Sequence, residues 1–221
     1  MGIGVDETLS PDLQEKLTYL GTVLSSFPEA QRATEVILEN VFGIKRIERL
    51  TERIGRERVI ERDADVAAWQ RRTLMEKQAA PAGVKAPAVA GLMPDGGRLQ
   101  LCRKNEDSST HWHEYKAACL LELERETHEN DPCPDVPEVF LQREPKYRKQ
   151  GLPVTSSHIE STVKLLNHRV KGTEKFWSES GAEALLQLKA DTLSDTAPLE
   201  PFWRHRPYQM TGCRPTKTAA A

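Results

Sequence analysis

The chain has 221 residues, of which 38% are hydrophobic and 29% are charged. Its 31 Lys and Arg residues nearly balance 33 Asp and Glu residues, so the net charge of the chain does not indicate any particular class of partner. The first residues lack a secretory signal pattern, no apolar run approaches the roughly eighteen residues that span a bilayer, and no Cys-x-x-Cys pair is present. We therefore predict a reduced, cytoplasmic protein with no membrane partner.

Positive charge is nevertheless concentrated in two stretches. Residues 45–56 include five basic and two acidic residues, and residues 143–175 include eight basic and three acidic ones. Such patches suit contact with phosphate groups, although solvated helix faces have a similar composition.

The first part of the chain predicts helices. Ser10 followed by Pro11 is typical of a helix start, because Ser caps the first turn and Pro needs no N–H bond there. A second helix is predicted to begin after Ser26-Phe27-Pro28 and to end at Gly43. The apolar face expected for this second helix is formed by Ala33, Val36, Ile37 and Val41.

A third helix is predicted from Ile44 to a stop at Gly55. Its apolar side is expected to contain Ile44, Ile47, Leu50 and Ile54, and its basic side Lys45, Arg46, Arg49 and Arg53. Two short helices around a Gly-containing turn, the second of them basic, are typical of a helix-turn-helix that contacts DNA. An ordinary three-helix bundle with a solvated basic face gives the same pattern.

The composition changes in the middle of the chain. The polar helix predicted over 57–78 has Val66, Trp69 and Leu74 as its apolar anchors. The following residues 79–90 are rich in Pro, Ala and Gly and are typical of a linker, so we place a domain boundary there.

The pattern then becomes that of strands. An apolar strand over 89–93 is predicted to turn at 94–97 and to return over 98–102, and residues 112–124 are predicted as a third strand of an antiparallel meander. Residues 128–145 contain several prolines and are predicted to be loop, since proline cannot donate to a central sheet ladder.

The last quarter of the chain again predicts helices. Ser156 or Ser157 is expected to cap one helix, and Ser180 with Glu183 to form the capping box of the next. The residues expected in the apolar faces of these helices are Ile159, Val163, Leu166, Val170, Ala184, Leu185, Leu188 and Leu193. Further core anchors are expected at Phe176, Trp177 and Trp203.

Together these elements predict a mostly helical α+β fold in five parts. These parts are helix-turn-helix-like helices at 1–78, a linker at 79–90, strands and loop at 91–144, a helical segment at 145–206 and a disordered tail at 207–221.

Two carboxylates are candidate site residues. Asp95 follows an apolar strand and precedes two glycines, which either let a backbone or phosphate group come close or form a hairpin turn. Glu160 lies three residues after Ser157, so it could be a metal ligand or complete a capping box. His111 and His113 share one strand face, but no third ligand follows at metal-binding spacing, which favours surface histidines.

The chain resembles a known family in several segments. Residues 151–195 closely resemble the C-terminal signature of the Kra-type insertion-sequence transposases, bacterial DDE enzymes with an RNase H-like catalytic domain: GLPVTSSHIESTVKLLNHRVKGTEKFWSESGAEALLQLKADTLSD. The family's first catalytic strand and its neighbours are similar to DGGRLQL at 95–101 and HWHEYKAACLLELE at 111–124. The helices before residue 80 resemble its helix-turn-helix region.

The resemblance implies an enzyme that cuts and joins DNA strands with two Mg²⁺ or Mn²⁺ ions. It implies that Asp95 is the first acidic ligand and Glu160 the last. The basic residues implied to contact DNA phosphates are Lys164, Arg169, Lys171 and Lys175. The implied partners are double-stranded DNA at insertion-sequence ends and a second copy of the chain in a homodimer.

One feature of the family is missing. Its second catalytic Asp lies on a later strand, but here only 64 residues separate Asp95 from Glu160, and none of the acids between them ends a convincing apolar strand. We therefore predict a deletion with its junction between Phe140 and Lys146. The expected result is an incomplete RNase H-like sheet that is largely uncovered, a site that holds metal ions poorly, and no catalysis.

Three functions stay open. The chain could be an active transposase, if Asp131 or another chain supplied the second Asp. It could be a DNA-binding remnant that occupies transposon ends through residues 45–56 and represses or does nothing. It could also be an interaction protein with no role on DNA.

Overall fold

The computed structural model describes residues 9–80, 83–102, 111–124, 126–130, 149–152 and 156–206. In chain order the elements are α1 (Pro11–Val23), α2 (Phe27–Ile37), α3 (Ile44–Arg71), α4 (Leu74–Gln78), β1 (Val89–Leu101), β2 (Trp112–Leu123), α5 (Ser157–Val170), β3 (Phe176–Trp177), α6 (Glu179–Leu193) and α7 (Leu199–Arg204). This confirms the mostly helical α+β class. None of the described helices has both the length and the apolar composition needed to cross a membrane.

Two compact units divide the chain. A helical unit contains the described residues of Met1–Glu61 and Ser178–Ala221, and a sheet unit contains those of Arg62–Trp177. The boundary falls inside α3. The predicted loop beyond residue 130, the deletion junction and the tail at 207–221 lie outside the described residues.

The start of α1 agrees with the sequence, whereas α2 begins at Phe27, two residues before the predicted start after Pro28. The Ser10 hydroxyl accepts a hydrogen bond from the Leu13 N–H, and the Ser26 hydroxyl accepts one from the Glu29 N–H, both at 3.3 Å. These serines satisfy N–H groups that the first helical turn leaves without a carbonyl partner. The apolar residues with no exposed surface in this unit are Leu17, Ala30, Ile47, Leu50, Ile54, Ala184, Leu185 and Leu188.

The third helix was predicted to end at Gly55. Instead, it continues to Arg71. Gly55 is buried, and a Cβ atom at this position would lie 2.4 Å from the Ala184 carbonyl oxygen. The glycine therefore allows α3 to approach α6 closely. A glycine inside a helix is disfavoured by about 1 kcal/mol relative to alanine, so its presence here is explained by packing and not by helix termination.

Several residues predicted to be core residues are exposed instead. The buried residues of α2 are Phe27, Ala30 and Thr34, which lie three and four positions apart and share one face. The predicted face was wrong because Val36 and Ile37 fall on another side of the helix. The exposed residues among those predicted to be anchors are Val36, Ile37, Val41, Val66, Trp69, Leu74 and Phe176.

The predicted hairpin turn at 94–97 is also wrong, because β1 is one continuous strand of 13 residues. Each residue of this stretch pairs with β2, from Pro94 opposite Ala118 to Gly97 opposite Tyr115. The return strand is β2, which was predicted as the third strand. The third strand, β3, is short and pairs parallel with the end of β1, so the sheet order is β2-β1-β3.

The β1–β2 sheet has two different faces, because successive side chains of a strand point to opposite sides. The covered face consists of the odd-numbered residues of β1 and β2, and α5 packs on it through contacts to Tyr115 and Cys119. The open face consists of the even-numbered residues 90–98 and 114–122, most of which are exposed. On α5 the predicted apolar residues Ile159, Val163, Leu166 and Val170 are all buried.

Neither predicted capping box forms. Helix α5 begins at Ser157, so the N-cap is Ser156, and its side chain makes no cap hydrogen bond. The cap of α6 is Ser178, whose hydroxyl accepts a hydrogen bond from the Gly181 N–H at 3.1 Å. Of the two serines predicted to cap α5, Ser156 is therefore the N-cap, whereas the Ser-x-x-Glu pattern placed the start of α5 one residue and the start of α6 two residues too late.

Candidate functional site

Asp95 lies in the middle of the central strand β1, on the covered face of the sheet. Its strand partner is Ala117, and the side chain is exposed. On β2, the covered-face residues on either side of Ala117 are Tyr115 and Cys119. Both contact α5, so Asp95 lies beside the seam between the helix and the sheet.

Tyr115 is a neighbour of Asp95 on the covered face and is buried. Its hydroxyl donates a hydrogen bond to Asn167 Oδ1 at 3.1 Å, and its ring lies so close to Gly97 that a Cβ atom there would be 2.6 Å away. Burial raises the pKa of Tyr115 to about 12, and the negative charge of Asp95 contributes to the rise. Tyr115 is therefore a neutral hydrogen-bond donor at physiological pH.

Sequence reasoning missed Tyr115 and Asn167. The available signal was the pair of glycines after Asp95, since glycine within a strand often marks a close approach by another group. The pair was interpreted as a turn because Asp-Gly is also a strong hairpin signal.

Glu160 lies in the first turn of α5 and is exposed. Its carboxylate accepts a hydrogen bond from the Ser156 hydroxyl, and its N–H donates to the Ser156 carbonyl oxygen at 3.0 Å. A negative charge is favourable at this position, because the N-terminus of a helix carries partial positive charge. Glu160 thus stabilises the start of its own helix.

The direction of α5 relates the two carboxylates. Thr162 Oγ1 lies 3.4 Å from the sulfur of Cys119, which is opposite Met93. Five residues later, Asn167 contacts Tyr115, which is opposite Gly97. The helix therefore runs alongside β1 in the same direction, and its Glu160 end lies toward the Met93 end of the strand.

The described residues do not assemble a metal site around these carboxylates. Within the part of the chain that the structure describes, no group of three or more His, Cys, Asp or Glu side chains could hold a metal ion. A two-ion site needs several oxygen ligands, so Asp95 and Glu160 alone do not fit the ions that the resemblance implies. Asp131 and Asp135 lie outside the described residues. His111 packs edge-on against the ring of Phe176, with centroids 5.5 Å apart.

The basic residues predicted on α3 differ in their surroundings. Lys45 and Arg49 are exposed, and Lys45 forms an ion pair with Glu48 at 2.8 Å. Arg46 is half-buried and its guanidinium lies 6.0 Å from the centroid of the Phe42 ring. Arg53 is half-buried as well and donates a hydrogen bond to the Gln14 side chain. Arg46 and Arg53 therefore pack along the helical unit.

The basic residues predicted near α5 also fall into two groups. Lys164 and Lys171 are exposed. Arg169 is only 1% exposed and its guanidinium lies 5.3 Å from the Trp177 ring centroid, so it is not on a surface that DNA phosphates could reach. Lys175 donates hydrogen bonds to the carbonyl oxygens of His168 and Arg169, and so caps the C-terminus of α5.

Comparisons with known proteins add no further guide to the site. No model of a known protein family matches the chain, and no match was found among curated proteins or among solved structures.

Proposed function

We propose that the chain is a catalytically inactive, DNA-binding remnant of a Kra-type DDE transposase. The observation that carries the proposal is the position of Asp95 on the central strand, on the face covered by the helix whose first turn contains Glu160. Strands β1 and β2 are antiparallel, and β3, which follows α5 in the chain, pairs with β1 in parallel. This arrangement is compatible with an incomplete RNase H-like sheet. The open face agrees with the loss of elements that would cover such a sheet.

The proposed loss of catalysis rests on the missing third ligand. Among the described residues, Asp95 has an alanine opposite it and a tyrosine and a cysteine beside it, and Glu160 is bonded to Ser156. Neither environment brings a further carboxylate, so the proposed function includes no metal-dependent step.

The proposed DNA contact uses the outer face of α5. Lys164, His168 and Lys171 are exposed and lie at positions i, i+4 and i+7, so they form one row opposite the buried stripe of the helix. Two lysines that neutralise two phosphates give a slope of about −2 for log K against log salt concentration. The helix-turn-helix-like role of α2 and α3 remains part of the proposal, with Lys45 and Arg49 as the exposed cations.

Binding is tested by fluorescence anisotropy of the full chain with a labelled DNA duplex over a series of salt concentrations. The Lys164→Ala/Lys171→Ala variant should bind several-fold more weakly and lose about two units of salt slope. The control is Arg72→Ala/Lys85→Ala, which removes two exposed cations of the sheet unit outside the basic stretch 143–175 and should bind normally. Failure of the unmodified chain to bind duplex DNA at low salt would contradict the DNA-binding role and favour an interaction protein.

Catalysis is tested separately with supercoiled plasmid and Mg²⁺ or Mn²⁺. We expect no nicking above the background of a buffer control, and no change with Asp95→Asn or Glu160→Gln. Nicking by the chain that both variants abolish would show instead that the site functions, with further ligands from outside the described residues or from another chain.

A further inference from the structure

The open face of the sheet carries an apolar strip. Leu92 and Leu120 are directly opposite each other on the two strands and are 68% and 76% exposed. The next pair along the strands, Pro94 and Ala118, is exposed as well. These four exposed side chains lie side by side and form one apolar patch on which a partner can pack.

Charged residues flank this strip with opposite signs. Along β2 the open face contains, in order, Glu114, Lys116, Ala118, Leu120 and Glu122, and Arg98 of β1 lies opposite Glu114. Lys116 and Glu122 lie equally far from the midpoint between Ala118 and Leu120. Lys116 is held on this face by an ion pair with Glu114, at 2.7 Å.

We propose that two copies of the chain associate through this open face. The two-fold axis would lie between the two sheets, perpendicular to the strands and level with the midpoint between Ala118 and Leu120. Each β2 would then cross over the β2 of the second copy in the opposite direction. Leu120 would pack on Ala118 of the second copy, Leu92 on Pro94, and Lys116 would face Glu122 twice, once in each direction.

The charge pattern favours a second copy over other occupants. A two-fold interface needs a surface that is complementary to itself, and opposite charges placed symmetrically about an apolar centre meet that requirement. Nucleic acid is disfavoured, because Glu114 and Glu122 balance Arg98 and Lys116 on this face and leave it without the net positive charge that attracts phosphates. Two sheets that pack face to face also have an established geometry, with their strands about 30° apart.

The small size of the face predicts a weak, reversible dimer. At about 3.4 Å per residue and 4.8 Å between strands, the face spanned by residues 90–98 is about 30 Å long and 10 Å wide. This footprint of roughly 300 Å² for each copy is below the roughly 800 Å² that a stable complex buries per partner. We therefore expect association only at high micromolar concentrations of the chain.

Sedimentation velocity of the full chain, from low to high micromolar concentration, tests the proposal. The unmodified chain should show a concentration-dependent shift from monomer to dimer. Leu120→Glu should weaken the association at least about tenfold, because it places an unpaired carboxylate in the apolar centre. The control Val36→Glu changes an equally exposed apolar residue on α2, which lies outside the open face, and should dimerise normally. Leu92→Glu replaces Leu120→Glu if circular dichroism shows that the latter does not fold.

A charge exchange distinguishes the proposed geometry from unspecific association. Lys116→Glu and Glu122→Lys should each weaken the dimer several-fold, and the double variant should restore it, because the facing charges are again opposite. A chain that stays monomeric at every concentration, a dimer unaffected by Leu120→Glu, or a double variant without recovery would each overturn the proposal. None of these variants changes Lys164 or Lys171, so the result is independent of the proposed DNA contact.

Discussion

The helical unit and the sheet unit differ in how completely they bury their apolar residues. In the helical unit, one apolar stripe on each of α3 and α6 is enclosed, with Ile47, Leu50 and Leu185 fully buried. In the sheet unit, a single strand buries Tyr115 on one side and exposes Leu120 on the other. A helix needs cover along one stripe only, whereas a sheet with apolar residues on both faces needs a layer on each side.

The largest effect is expected from Asp191→Ala in the helical unit. The Nε of Arg58 lies 2.8 Å from the Asp191 carboxylate, and the two side chains are 14% and 7% exposed. Gln187 donates a second hydrogen bond to this carboxylate at 2.8 Å. Loss of the carboxylate leaves a largely buried guanidinium without its main partner and should lower the free energy of unfolding by about 3 kcal/mol. Urea denaturation measures this change.

Asp195→Ala is the control for Asp191→Ala, because it removes an exposed carboxylate just after the same helix. It should change the free energy of unfolding by less than about 0.5 kcal/mol. Equal effects of the two changes would show that the buried pair contributes no special stability.

Leu166→Ala against Leu120→Ala compares the two sides of the sheet unit directly. Leu166 lies on the buried side of α5 and is 2% exposed, so its truncation to alanine should lower the free energy of unfolding by about 2–3 kcal/mol. Leu120→Ala, at a concentration where the chain is monomeric, should cost less than about 0.5 kcal/mol. Hydrogen exchange of the backbone amides of β1 and β2 measures the loss of stability caused by each of the two substitutions. Similar losses of protection would mean that the open face is covered in the monomer.

Gly55→Ala tests the close approach of α3 and α6. The added methyl group would meet the Ala184 backbone, and we expect a loss of about 1–3 kcal/mol despite the better helix propensity of alanine. At Gly43 the same methyl group would meet no other atom within 4 Å, so Gly43→Ala should leave the thermal midpoint nearly unchanged. A stabilising Gly55→Ala would contradict the packing role of this glycine.

The smallest effect is expected from Tyr115→Phe, which removes one hydrogen bond and should cost about 1 kcal/mol at neutral pH. The pKa of Tyr115, about 12, is higher than the value of about 10 expected in the unfolded chain. The folded state therefore favours the protonated phenol, and this stabilisation is complete below pH 10 and lost as the pH rises toward 12. Tyr115→Phe should lack this alkaline loss of stability, whereas Tyr19→Phe, at a 54% exposed position, should retain it.

Titration of the phenolate absorbance gives a second measurement at this site. Asp95→Asn should lower the pKa of Tyr115, because a negative charge beside the phenol is removed. An unchanged pKa would show that Asp95 does not act on Tyr115.

Local features of the sequence predicted some elements well. The start of α1 follows from Ser10, because its cap depends on a side chain within three residues. The buried stripe of α5 follows from the helical spacing of its apolar residues, since a single neighbouring layer was enough to bury it.

Other features could not be predicted because they depend on what lies opposite in space. The stretch from Asp95 to Gly97 has the composition of a turn, but pairing with β2 keeps it extended and the Tyr115 ring occupies the space above Gly97. Arg169 belongs to a basic segment, yet its guanidinium is buried against Trp177. Charge and turn propensity are properties of single residues, whereas burial is not.

Local sequence patterns were enough to predict the class of the fold, the start of α1 and the buried stripe of α5. The continuous strand β1, the close packing of α3 and α6 at Gly55 and the open face of the sheet could be seen only in the folded chain. These features differ from the predicted ones in how far apart along the chain the interacting residues lie. Caps and periodic stripes are set by neighbours a few residues apart, whereas strand pairing and burial are set by residues that are distant in the chain.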